Sequence, residues 1–424
     1  MHKKSSFYVL TLIVITAAVY YPVLGHDFLY QWDDGGMMNR YTEGGINFDN
    51  FWAILTEFYY GQYSPVSFYI YAFVYSLFGY DTVAFHSVNY ILHIINVLCL
   101  YSVIKYILVR NPRIKFEHAP LIAFISALLF AIHPFNVETV SWVSTIKITS
   151  YAFFYIAATC AFLKYLENVR IRYYIFTLIF FIFSFGAKEQ AVTFPLWMLM
   201  LYWIFNRSLK ERKVWFQVVP FFLLSIVFGI ITILSQSGGN SLLDQTGYPI
   251  WQRIVYACYS FSEYLLKLVF PFKLSYIYPF PSVAGEPMPT WLLLYPSMLT
   301  VLLLVCWKWL IENKIVLFCL LYVVVHLILS LHLISISRFA VVADRYAYIA
   351  SIGVCFMIAY YAVYFIQQLK GYKKYALYAA LSAYILYFGI YSNVRCRVWQ
   401  DTDTLKKELR ELLKERDDYD EMLF

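Results

Sequence analysis

Residues 221–234 read FFLLSIVFGIITIL, a run without a single charged side chain. Residues 10–20 (LTLIVITAAVY), 121–132 (LIAFISALLFAI) and 316–331 (VLFCLLYVVVHLILSL) are of the same kind. A bilayer core about 30 Å thick is crossed by roughly 20 mainly apolar residues in a helix. Backbone amides find no water partner in lipid, so only helices or a closed barrel can span it. Barrel strands alternate apolar and polar residues, and these runs do not. The expected fold class is an all-α polytopic membrane protein. Composition agrees: of 424 residues, 61% are hydrophobic, 21% aromatic and 14% charged, against roughly 25% charged in a soluble domain.

About eleven spans are expected, near residues 6–24, 84–108, 119–136, 145–166, 172–187, 190–206, 214–235, 291–310, 315–333, 347–367 and 374–392. Met1-His2-Lys3-Lys4 precedes the first apolar stretch, which is long and lacks a clear small-residue cleavage site, so it reads as an uncleaved span. With the N-terminus inside, most basic residues fall in inner connections, among them Lys105, Arg110, Arg113 and Lys115, and Arg207, Lys210, Arg212 and Lys213. That bias sets the orientation. It also accounts for the net charge of +7 without nucleic acid.

Residues 1–392 thus form one transmembrane domain, followed by a short soluble helical tail at 393–424. Two outer segments are long. The first, 25–83, holds Asp27, Asp33, Asp34, Glu43, Asp49, Glu57 and Asp81 against Arg40 alone; its apolar second half, 65–78, reads as a helix lying in the interface. The second, 236–290, opens with Gly238-Gly239-Asn240 and continues into another interfacial helix at 251–270. In the tail, Leu405, Leu409, Leu412 and Leu413 form the apolar side of an exposed amphipathic helix. The seven cysteines are scattered without a CxxC, which argues against a zinc site or a disulfide framework.

Polar residues near membrane depth are costly and tend to be functional, and here they gather at the outer ends of spans. Asp33 and Asp34, just past the first span, could act as a general base, with the second carboxylate raising the pKa of the first; the plain alternative is a solvated loop. Pro134 can end the third span and project His133 and Glu138 toward a cavity, with Lys147 nearby. Lys188-Glu189 marks the next outer turn. Asp344-Arg345 follows Arg338; an outer arginine suits a phosphate, which it can grip bidentately, and a structural Asp–Arg pair has equal weight. His86, Asn89 and His93 share one helical face, but the two histidines stand about 10.5 Å apart along the axis. A packing stripe is favoured there over a metal site. No Walker loop, dinucleotide fingerprint or HExxH occurs. A transferase here needs a donor that arrives activated within the bilayer, as a lipid-phosphate sugar does.

The layout resembles the GT-C superfamily of integral membrane glycosyltransferases, and within it the transmembrane and TPR-repeat-containing O-mannosyltransferases and their bacterial relatives. The matching phrases are Trp32-Asp33-Asp34, Tyr63-Ser64-Pro65, His86-Ser87-Val88-Asn89 to His93, His133-Pro134 to Glu138-Thr139-Val140, Lys188-Glu189-Gln190-Ala191-Val192 to Pro195, Ala343-Asp344-Arg345-Tyr346-Ala347-Tyr348 and Trp399-Gln400-Asp401. The resemblance implies a GT-C-like bundle and a polyprenyl-phosphate-linked sugar donor. It implies transfer to an acceptor hydroxyl of a protein, lipid or glycan, usually with inversion. One of Asp33 and Asp34 would be the base, Asp34 being preferred. Arg345, Lys188, Lys147 and Arg338 would face the donor phosphate, and His133, Glu138, Glu189, Asp344 and His86 would line the cavity. No cofactor is implied; relatives differ on a divalent metal, and no metal ligand is assigned. Three departures stand out: Ser64 where an arginine often precedes the proline, Ser144-Thr145-Ile146-Lys147 where relatives carry a Gly-Arg pair, and no repeat array after the bundle.

The competing function is a transporter or flippase of lipid-linked saccharides, which would carry its charges midway through the bilayer on broken helices. The expected location is a bacterial inner membrane with a periplasmic active face, or else an endoplasmic reticulum membrane with a lumenal one.

Overall fold

The structure, a computed structural model, describes residues 2–30, 32–59, 61–110, 117–237, 248–282, 285–333 and 340–414. Among these residues the secondary structure is helical apart from two isolated bridges, Tyr59 with Gln62 and Tyr278 with Val342. Each expected span has a helix: α1 (His2–Tyr20), α6 (Thr82–Arg110), α7 (Ala119–Ala131), α9 (Ile146–Asn168), α10 (Ile171–Ala187), α11 (Phe194–Ile204), α12 (Arg212–Ser237), α14 (Leu294–Glu312), α15 (Lys314–Leu327), α16 (Ser351–Gln368) and α17 (Tyr372–Cys396). Among the described residues, fewer than eleven helices have the length and apolar composition of a full span. Seven helices are long and apolar enough to cross a bilayer, and an eighth span arises if α7 and the segment Pro134–Ser141, bent by 50°, are taken together. Apolar runs alone do not reveal where a helix stops. Here α10, α11 and α15 are the shorter pieces.

The bundle is sorted by burial. Helices α7 and α9 sit at its centre, with α6, α10 and α16 packed around them. Helix α14 has no buried residue, and the apolar sides of α12 and α17 also face outward. Lipid is as apolar as leucine, so such faces need no protein cover. Polar residues in the centre pair across helices: His93 bonds the Tyr348 hydroxyl at 2.6 Å and the Ala131 carbonyl at 2.9 Å, and Asn89 donates to the Trp142 carbonyl at 2.7 Å. The expected packing stripe is what these residues form.

Gly353 sets the closest approach of α16 to α15. A Cβ there would stand 2.9 Å from Tyr322 Cδ1 and 3.2 Å from the Cys319 carbonyl oxygen. Gly353→Ala is therefore expected to destabilise the bundle by about 1–3 kcal/mol through overpacking, read as a lower midpoint of thermal unfolding in detergent.

The first long loop folds into short helices: α2 (Asp33–Met37), α3 (Arg40–Glu43), α4 (Phe48–Thr56) and α5 (Pro65–Phe78). Asn39 and Asn47 cap α3 and α4 by accepting from backbone N–H groups of their first turns. In the second long segment α13 (Ile250–Val269) exposes Ile250, Trp251 and Ile254 and buries Tyr256, Ser260 and Tyr264 on its other side. The opening Gly238-Gly239-Asn240 lies outside the described residues. The tail differs from expectation. Helix α18 (Thr402–Leu413) does not project as a free element: Leu405, Leu409 and Leu413 are buried in the main core. An amphipathic pattern identifies an apolar side but not whether the bundle covers it. All seven cysteines are free thiols.

Candidate active site

Trp32-Asp33-Asp34 opens α2 directly after the first helix and its 3-10 extension, Tyr21–Gly25. Successive helical residues point about 100° apart, so the two carboxylates diverge. Asp33 is exposed, whereas Asp34 is 0% exposed. The Asp34 carboxylate is fully engaged. Oδ1 accepts from the backbone N–H of Ser144 at 2.9 Å and its hydroxyl at 2.6 Å, and Oδ2 accepts from the Leu29 N–H at 2.9 Å. Ser144 lies in the 3-10 turn Val143–Thr145 that opens α9, and a helix N-terminus favours negative charge. Burial pushes the Asp34 carboxyl up to about 6; the Ser144 and Leu29 hydrogen bonds oppose that rise, and the charge of Asp33 adds to it. Gly35 belongs to this turn because a Cβ there would stand 2.6 Å from the Tyr30 carbonyl oxygen.

The opposite wall is cationic. After α7, Pro134 breaks the helix, and a 3-10 turn (Pro134–Asn136) leads into α8 (Val137–Ser141), which carries Glu138. Glu138 is wholly buried and takes Arg345 twice: Oε1 accepts from Nη1 at 2.5 Å and Oε2 from the Arg345 backbone N–H at 2.9 Å. The Arg345 guanidinium also lies 5.5 Å from the Trp142 ring centre and 5.0 Å from that of Tyr346. Its side chain keeps 18% exposure. Lys188, between α10 and the 3-10 turn Glu189–Thr193, sits 3.4 Å from Glu189 and 5.4 Å from the Tyr346 ring. Lys147, half-buried as the second residue of α9, donates to Gln62 at 3.3 Å. It is in electrostatic range of Lys188, Asp33 and Arg345. One region therefore combines an open carboxylate, an anchored carboxylate and three cations.

Other sequence candidates stand elsewhere. His133 is fully buried; its Nε2 bonds the Leu268 carbonyl at 2.9 Å, its Nδ1 accepts from the Phe135 N–H at 3.1 Å, and its ring packs 4.7 Å from Phe388. With both nitrogens taken by backbone, it braces the helix break and stands apart from the Asp33 and Lys147 region. His86 is buried beside His26, with ring centres 5.7 Å apart. Asp344 points away from Arg345, accepting from the Tyr278 hydroxyl at 2.8 Å and facing Arg395 at 3.7 Å. Burial pushes its carboxyl upward, with Arg395 opposing and Glu138 adding to the rise. Arg338 lies outside the described residues. Among the described residues no group of three or more His, Cys, Asp or Glu is placed to hold a metal ion.

Several residues of this region were not legible beforehand. Ser144 appeared only as a departure from the resemblance. Tyr276, whose ring is 4.8 Å from that of Trp32, and Gln62 gave no signal in a chain so rich in aromatic residues.

Residues 62–231 match a family model described as dolichyl-phosphate-mannose-protein mannosyltransferase. The match spans Gln62, Glu138, Lys147 and Lys188, and stops short of the Asp33–Asp34 pair and Arg345. No curated protein matches the chain significantly.

Proposed function

We propose that this chain, whose residues 62–231 match the mannosyltransferase family model, moves a sugar from a polyprenyl-phosphate donor to an acceptor hydroxyl, with Asp33 as general base. The reaction is assigned to the outer, periplasmic or lumenal, face, and a protein hydroxyl is the first acceptor to test. The observation that carries this reading is the exposed carboxylate of Asp33 within electrostatic range of Lys147, which is itself in range of Lys188 and Arg345.

The step divides between the two walls. The acceptor oxygen attacks the anomeric carbon while its proton passes to Asp33. The bond from that carbon to the phosphate oxygen breaks, and polyprenyl phosphate leaves with the electron pair. Arg345, Lys188 and Lys147 offset the charge that grows on the leaving phosphate, in a site where fixed cations act more strongly than in water. A general base must reach the proton it takes. Asp34, favoured on sequence, already accepts three hydrogen bonds and has no exposure, so it serves to hold α2 against α9 and to aim Asp33.

That division gives a pH signature. Above about 6 the Asp34 carboxylate is ionised and accepts from all three donors. Below that value Asp34 takes a proton and stays buried, but one accepted hydrogen bond is lost and the turn that aims Asp33 is rearranged. Donor turnover should therefore fall as pH drops through about 6, and Asp34→Asn should show a lowered rate without that limb. A limb near pH 6 that persists in Asp34→Asn would sink the assignment. The function itself is tested by incubating the purified protein with labelled polyprenyl-phosphate sugars and hydroxyl acceptors. Transfer by wild type is expected; none across a broad panel would move a transport role ahead.

A further inference from the structure

Two routes run from the tail to Arg345. Along the first, the Trp399 ring lies 5.7 Å from Trp142 and 5.3 Å from Tyr276, and Trp142 is the ring beneath the Arg345 guanidinium. Along the second, Arg395, in the last turn of α17, faces Glu408 of α18 at 3.5 Å and Asp344 at 3.7 Å, while its Nη1 donates to the Leu274 carbonyl at 2.8 Å. Asp344 precedes Arg345 in the 3-10 turn Asp344–Ala347. The tail also reaches the acidic loop, since the Gln400 carbonyl accepts from the Asp27 N–H at 2.8 Å.

The second route is unusual for so dry a place. Arg395 is 3% exposed and Asp344 1%. Yet Nε and Nη2 of Arg395 and Oδ2 of Asp344 have no hydrogen-bond partner among the described residues. Buried charges are normally held by close, charge-assisted hydrogen bonds, and leaving them loosely paired is costly. Nothing in the chemistry of transfer uses Arg395, and hydrophobic residues would fill the same space at lower cost. A loosely paired charge at a joint between tail and site is what a setting device requires.

We infer that α18 is a strut for the phosphate-gripping turn, with Arg395 as its positioning residue: braced by Glu408, Arg395 holds Asp344 and so fixes the angle at which Arg345 meets the donor phosphate. The inference rests on the donor reading above for its functional consequence, but its structural half stands alone. Arg395 touches no substrate. Its removal acts on donor use through Arg345 and leaves the base side untouched.

The test uses the full chain in detergent and two readouts. Hydrogen–deuterium exchange follows the peptide around residues 340–350, and steady-state transfer follows the KM for a polyprenyl-phosphate mannose donor. Arg395→Met should speed exchange of that peptide and raise donor KM roughly 3- to 30-fold, with exchange in α2 unchanged. Arg395→Lys should recover part of both effects because it keeps the charge. Were Arg395 only a space-filler, Met would equal or surpass Lys. Glu408→Gln, at the accessible end of the route, should shift both readouts in the same direction by less, and it decides the matter if Arg395→Met does not fold. Wild-type exchange at 340–350 in Glu408→Gln overturns the strut. So does a loss of folded protein whose remaining fraction keeps the wild-type donor KM. If wild type transfers no sugar, the donor reading fails and the exchange readout still decides the strut.

Discussion

Asp33→Asn is expected to lower kcat for sugar transfer by about 100- to 10,000-fold, the range that a positioned general base supplies. Asparagine keeps the size and hydrogen-bonding shape of the side chain but cannot take the acceptor proton. On the proposed reading donor binding should survive, because the phosphate would be held by Lys147, Lys188 and Arg345 and not by Asp33. A donor KM within a factor of a few of wild type, together with the loss of kcat, is thus the expected signature. Asp34→Asn should behave differently. One of its two terminal atoms becomes a donor and opposes either the Ser144 or the Leu29 N–H, so it should lose part of the rate and some thermal stability. If Asp34→Asn is dead and Asp33→Asn retains full turnover, the two carboxylates have exchanged roles and the argument from access is wrong.

Glu138→Ala is expected to destabilise the fold by roughly 3–5 kcal/mol, the cost of stranding one partner of a buried ion pair. Glu138 takes both the guanidinium and the backbone N–H of Arg345, so the alanine variant loses two hydrogen bonds and leaves a cation facing apolar rings. The partial exposure of Arg345 puts the expectation at the lower end of that range. Glu138→Gln retains an acceptor for the backbone N–H and should lose less. Thermal unfolding in detergent orders the three proteins as wild type, Glu138→Gln, Glu138→Ala. Equal midpoints for wild type and Glu138→Ala would mean that the Arg345 turn is held by other contacts, the Asp344–Arg395 route being the first to examine.

The membrane class of this chain and the approximate position of every long helix were readable in sequence. Residue types settle both, because a backbone in lipid must bond to itself and only long apolar runs can do so unaided. The helix break at Pro134 was likewise legible, since proline lacks the N–H that the next turn needs. The motifs also located the acidic turn and the cations as neighbours of the bundle's loop ends. What sequence could not supply was direction. In a helix apolar on all sides, periodicity marks no inward face, so His133 and His86 looked as available as Lys147.

Tertiary structure decided the rest. The partners of the functional groups are far apart along the chain: Arg345 and Glu138 are separated by 207 residues, and Asp34 and Ser144 by 110. No local pattern encodes such pairs. Whether Asp33 or Asp34 is left exposed depends on the turn before α9 arriving with Ser144 to claim one of them. Whether the tail helix is free or docked depends on the bundle core that Leu405, Leu409 and Leu413 join. The sequence by itself determined a helical membrane protein with charges at its loop ends; packing determined which of those charges are open to a substrate and which hold the fold, because that choice is made by the distant donor or acceptor each one meets.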